Sequence, residues 1–324
     1  LEARPLNRTR QITEAGLFAA IMIILMIGSY YIPVIGTLLF FIMPLPVIIL
    51  TIRNTLPNTI VATIVATLIS SALVTIIVGI GNGALALFVG LPLGYCFKRK
   101  DSTLKSIALG GIGALIAYLV ILGAAQGFLG LSITEQLDQM FDISGTMQTE
   151  MNTIFGALNN DALNASMAET QTILENMQHM IKLIFPSALI IFSMVYSAIN
   201  YLFARPILTR LRIAVRPIGS FASFSYPKHM AFGGGMMLIL AYLVGYLGIA
   251  DPELVFTNFL YLFLMVFSIQ GLSLLYYFLL KFMPRGFAIA MIVFLTLSQF
   301  LYYISIIGFF DVMINFRKRG TIKR

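Results

Sequence analysis

The chain has 324 residues, of which 59% are apolar and 10% charged, and its 21 Lys and Arg against 13 Asp and Glu give a formal charge of +8. Soluble domains run at about 45–50% apolar and about 25% charged, which excludes water as the main solvent for this surface. The cations come in short clusters between apolar runs rather than in one stripe, so they read as membrane topology and not as a nucleic-acid footprint.

A bilayer core about 30 Å thick needs roughly 20 apolar residues per helix. Nine stretches pass this test, near 14–33, 35–52, 58–80, 82–97, 105–129, 182–204, 229–248, 254–280 and 286–310. The fold class is therefore an all-α, polytopic transmembrane bundle of about eight or nine spans. The chain opens Leu1-Glu2 without methionine, which reads as a truncated start. No cleavable signal is expected, because the first apolar run is long enough to span and no small-residue cleavage pattern follows it. The second stretch holds Pro44 and Pro46, which remove backbone donors and predict a kink or break. The fourth is short and carries Gly81, Gly83, Gly90 and Gly94, predicting close helix approach or a tilted segment. Cys96, the single cysteine, precedes Lys98-Arg99-Lys100 and reads as a small packing residue.

Residues 130–181 form the one long polar insert, rich in Asp and Glu and free of Lys and Arg. Within it Met147, Met151, Ile154, Phe155 and Leu158, and again Ile173, Leu174 and Met177, recur at helical spacing, which predicts amphipathic helices. Placing the N-terminus inside leaves Arg4, Arg8, Arg10, Arg53, Lys98–Lys100, Lys105, the 205–228 loop, Lys281 and Arg285 in the cytoplasm and the insert outside. The basic tail Arg317-Lys318-Arg319 fits this rule only if the last segment does not simply cross. It either crosses and leaves the tail outside, or folds back near Ser298-Gln299 as two half-length helices.

No catalytic constellation emerges, and no cofactor or metal site is expected. His179 and His229 fall on opposite sides of the membrane in this topology, and HExxH, GxSxG and a phosphate-cradling glycine loop are absent. Glu14 and Asp311 lie at segment ends, where water or a basic neighbour can reach them. The polar groups inside spans are the neutral amides Gln126, Asn200, Gln270 and Gln299, with Asn258 nearer an end. Such amides either line a cavity for an uncharged, hydrogen-bonding ligand or bond helix to helix.

Thr13-Glu14-Ala15-Gly16-Leu17-Phe18-Ala19-Ala20 leads straight into the first span and resembles the first helix of the substrate-specificity components of energy-coupling factor vitamin transporters. In that group an Ala-x-x-x-Ala pair packs on a separate transmembrane coupling subunit, and Ala15 and Ala19 match it. Small residues four apart share one helix face and permit close approach. The whole chain, including the insert and the ending Gly308-Phe309-Phe310-Asp311-Val312-Met313-Ile314-Asn315-Phe316-Arg317, more closely resembles the YybS-like family of uncharacterised bacterial membrane proteins. That resemblance implies a bacterial plasma membrane, a six-span specificity-component-like bundle over 1–206 including the insert, and additional helices with a basic tail over 207–324. The resemblance of the first helix to the specificity components implies a small-molecule, transport-related role with a coupling subunit as partner. The rival reading is a non-transporting scaffold or regulatory partner of another membrane protein.

Overall fold

In hydrocarbon every backbone polar group must be satisfied within its own segment or a closed sheet, so long apolar runs become helices. The computed structural model describes residues 8–139 and 161–319, and no strand occurs among them. The helices are α1 (Arg8–Tyr31), α2 (Ile35–Ile42), α3 (Leu45–Arg53), α4 (Leu56–Leu73), α5 (Ile76–Arg99), α6 (Thr103–Leu129), α7 (Asp161–Arg210), α8 (Lys228–Tyr246), α9 (Pro252–Phe282), α10 (Arg285–Leu297), α11 (Leu301–Ile314) and the short α12 (Phe316–Arg319). Residues 133–139 are also helical. Eight spans are long and apolar enough to cross a bilayer, with α2 and α3 taken as one, and α10 with α11 would make a ninth. The protein is a multi-pass integral membrane protein.

The chain breaks where local chemistry removes helix hydrogen bonds. Pro44 caps α3 and Pro46 occupies its first turn, so the second span is interrupted between Ile42 and Leu45. The next boundary differs from the sequence expectation of 58–80 and 82–97. It falls at Val74-Thr75, where the Thr75 hydroxyl accepts from Val78 N at 3.3 Å and starts α5 six residues early. The fourth span is thus a full 24-residue helix with Pro92 inside it. Its glycines are weak helix formers, but packing overrides propensity: a Cβ on Gly83 would run into Thr67, and one on Gly94 into Thr51 and the Ile48 carbonyl.

Between α10 and α11 the axis bends by 110° across Ser298–Phe300. The last stretch is therefore two helices of 13 and 14 residues, each about 20 Å long and short of the about 30 Å core. The bend falls at Ser298–Phe300, the place where the fold-back alternative put its turn.

Two compact units make up the chain. Unit 1 comprises Leu1–Thr170 with Phe192–Pro217, and unit 2 comprises Gln171–Ile191 with Ile218–Arg324. The sequence boundary near 206 and this division differ, because 171–191 goes with the C-terminal helices. Unit 1 is centred on α5, whose Leu85, Val89 and Leu93 pack with Ile48, Ala114, Ala117, Tyr196 and Tyr201. A second cluster joins α1 to α3 and α4 through Met22, Met26, Val47, Leu50 and Ala66. In unit 2, Phe263, Phe267 and Phe309 pack with Tyr226, Ala231 and Val312. There α9 and α11 approach backbone to backbone, since a Cβ on Gly308 would meet the Phe267 carbonyl and Gly271, and one on Gly271 the Ile304 carbonyl. Met147, Met151, Ile154, Phe155 and Leu158 of the insert lie outside the described residues, whereas Ile173 and Met177 are exposed on α7.

Candidate functional site

The four intramembrane amides fall two in each unit, Gln126 and Asn200 in unit 1 and Gln270 and Gln299 in unit 2. Gln126 is exposed near the end of α6, where its carbonyl accepts from Gly130 N of the left-handed cap. Gln299 is exposed at the bend between α10 and α11. Asn200 is fully buried in unit 1; its Nδ2 donates to Tyr196 O at 2.9 Å, and its Oδ1 has no partner. It continues a row of buried polar groups on α7. Ser197 donates to Ile107 O at 2.8 Å, Tyr196 donates to Phe40 O at 2.9 Å, and the Tyr201 hydroxyl pairs with Thr103 at 3.2 Å. These bonds tie α7 to α2 and α6.

Gln270, at the centre of unit 2, is engaged at both ends of its amide. Its Oε1 accepts from Tyr226 N at 3.0 Å and its Nε2 donates to Asp311 Oδ2 at 2.6 Å. Asp311 is 2% exposed. A carboxylate at the C-terminal end of α11 faces the negative end of the helix dipole, and the chain compensates locally. Asn315 adopts a left-handed conformation, φ 57°, which turns the backbone so that Phe316 N donates to Asp311 Oδ1 at 3.0 Å. Arg317 then follows, its Nη2 3.7 Å from Asp311 Oδ2. The same guanidinium donates to the carbonyls of Ala222 and Phe224 at 2.9 and 2.7 Å and to Ser273 Oγ at 2.9 Å. Ser273 in turn donates to Phe221 O at 2.6 Å. Burial pulls the Arg317 guanidinium down from its ordinary value, with Asp311 opposing that shift. Burial also pushes the Tyr226 hydroxyl up to about 12. The cluster fastens the segment around the Phe221–Ser223 turn to α9 and α11.

Ala15 and Ala19 are 9% and 7% exposed and pack with Ala62 and Ala66 of α4. Close approach through small residues is thus realised within the chain itself. Beside them Ile12, Gly16, Pro57, Asn58, Val61 and Val65 line an open groove of about 290 Å³. Gly16 is exposed, with nothing within 4 Å of the place a Cβ would take. Near the start of α1, Glu14 meets Arg53 at 2.7 Å, and Asn54 Nδ2 donates to Gln11 O at 2.8 Å. Charge spacing alone did not reveal these partners. The Asp311 cluster has a faint signal in the pairing of Gln270 with Gly271 and of Gly308 with Asp311, where a small residue lets helices close on a polar neighbour.

Residues 20–312 match the family described as a predicted membrane protein (DUF2232). The chain belongs to the DUF2232 family. Uncharacterised protein YybS of Bacillus subtilis (strain 168) is 26% identical to it over 330 residues, covering 97% of this chain and 99% of the Bacillus protein. No solved structure matches. The match begins just after Ala15 and Ala19, covers parts of both units and ends just past Asp311.

Proposed function

We propose that this DUF2232 protein is a non-enzymatic, transport-related membrane component in which unit 1 binds a small molecule and associates with a separate coupling protein. The observation that carries the reading is the gathering of six spans in unit 1, namely α1, α2 with α3, α4, α5, α6 and the 192–210 part of α7. Six is the number in the energy-coupling specificity components that the first helix resembles. The exposed Gly16 beside the groove of α1 and α4 gives a neighbouring helix room to approach. The scaffold reading has its own support: the Gln270 amide is spent on bonds inside the protein, and the grooves beside α1 and α8 are open and apolar.

Co-purification from its native membrane tests both. Recovery of an ATPase pair with a coupling subunit is expected, and Gly16→Leu should reduce that recovery while leaving the melting curve of the isolated protein unchanged. Thermal-shift screening against vitamins and related metabolites supplies the ligand arm. Recovery of a membrane protein without any ATPase, together with no stabilisation by any compound, would favour the scaffold.

A further inference from the structure

A proline inside a helix lacks its own N–H and displaces the turn before it, which weakens the bond from the following N–H to the carbonyl three residues ahead of the proline. At Pro186 of α7 those two groups are Ser187 N–H and Leu183 C=O. Each takes a bond from the same side chain. Asn258 Oδ1 accepts from Ser187 N at 2.7 Å, and Asn258 Nδ2 donates to Leu183 O at 2.8 Å. The amide is set in this pose by a further bond from Nδ2 to Leu254 O, 2.7 Å away on its own helix α9. Leu183 and Ser187 are 8% and 1% exposed, so no water stands ready to replace these bonds.

An asparagine here is well matched. It is a side chain with one acceptor and two donors on one plane, so it can bridge a carbonyl and an N–H that a helix would otherwise pair directly. Around it the packing of this segment on α9 is loose: Ile173, Met177, Met180 and Ile184 face Tyr261 across an open groove of about 430 Å³. The hydrogen bonds of Asn258 are therefore a directional tie between residues 171–191 and α9.

We propose that Asn258 is a releasable latch at a proline hinge, holding residues 171–191 on α9 in one of two discrete states. In the latched state Leu183 O and Ser187 N are bonded to Asn258. In the released state Asn258 turns back wholly to Leu254, and Leu183 O and Ser187 N are left with the pairing that Pro186 weakens. The latched state protects these two backbone groups and the released state opens them to exchange, so amide exchange reads which state the hinge is in. This inference is independent of the transport reading.

The test uses the full-length protein in lipid nanodiscs, with backbone amide exchange across 183–190 read by mass spectrometry. Asn258→Leu removes the latch at similar volume, and exchange is expected to rise by about tenfold or more. Adding Pro186→Ala should return exchange to slow values, because an unkinked helix pairs Ser187 N with Leu183 O unaided. In a Cys96→Ser background, oxidative crosslinking of Met180→Cys to Tyr261→Cys should slow on Asn258→Leu. Should Asn258→Leu fail to give a monodisperse protein, Asn258→Asp serves instead; it keeps the acceptor for Ser187 N–H, loses the donors, and should raise exchange by a smaller factor. Unchanged exchange in the folded Asn258 variant, or acceleration that persists in full with Pro186→Ala, overturns the latch.

Discussion

At the scale of single residues, unit 2 is organised by polar groups that leave water only in company. Gln270 holds Asp311 and the Tyr226 backbone at once, so Gln270→Leu strands a carboxylate oxygen and a buried N–H together. A loss of about 2–3 kcal/mol in stability is expected, measured by thermal unfolding in detergent. A cost well under that would mean the carboxylate finds another donor. Tyr226 supplies a pH signature. Burial raises its hydroxyl from 10.0 to about 12, so the folded chain holds that proton more tightly than the unfolded one. Its contribution is complete below pH 10 and is lost as pH rises toward 12. Tyr226→Phe should remove that part of the alkaline decline, visible as a flatter difference curve against the parent between those pH values.

At the scale of helices, close approach is set by where a Cβ is missing. Gly308 lies against the α9 backbone at Phe267 and Gly271, where no flexible side chain can give way. Gly308→Leu is expected to cost about 3 kcal/mol or more and to separate α9 from α11. A melting curve matching that of the parent would refute the close crossing. The pair Ala15 and Ala19 acts on the isolated chain for the same reason, since both pack on α4. Leucine at either position should lower its stability, whereas Gly16→Leu should not. Helix existence was legible from apolar runs because hydrocarbon leaves the backbone no alternative. Helix ends were less so: the α4 to α5 boundary depends on one threonine cap, and glycine content argued for a shorter fourth span than packing permits. The partners of Glu14, Asn258 and Asp311 were not legible, because residues 39 or more positions apart do not announce contact by periodicity: Arg53 reaches Glu14 across that separation, Ser187 meets Asn258, and Gln270 meets Asp311.

At the scale of the molecule, the basic loops predict that the N-terminus and the 205–228 loop are cytoplasmic and the 130–181 insert extracytoplasmic. With the same rule, the basic tail is expected on the cytoplasmic side, reached through the 110° bend between α10 and α11. Membrane-impermeant thiol labelling in a Cys96→Ser background checks both, with Ser166→Cys expected to label from outside and Thr321→Cys from inside. Labelling of Ser166→Cys from inside alone would overturn the arrangement.

The two units are interleaved along the polypeptide: 171–191, part of unit 2, is translated before 192–217, which completes unit 1. No single cut in the gene separates them. A ribosome that has made everything up to residue 191 has produced an unfinished first unit with a piece of the second already attached. Expression of either unit as an independent fragment therefore requires two pieces of chain, and co-expression of complementary fragments split within 211–220 should yield a protein only when both halves are present.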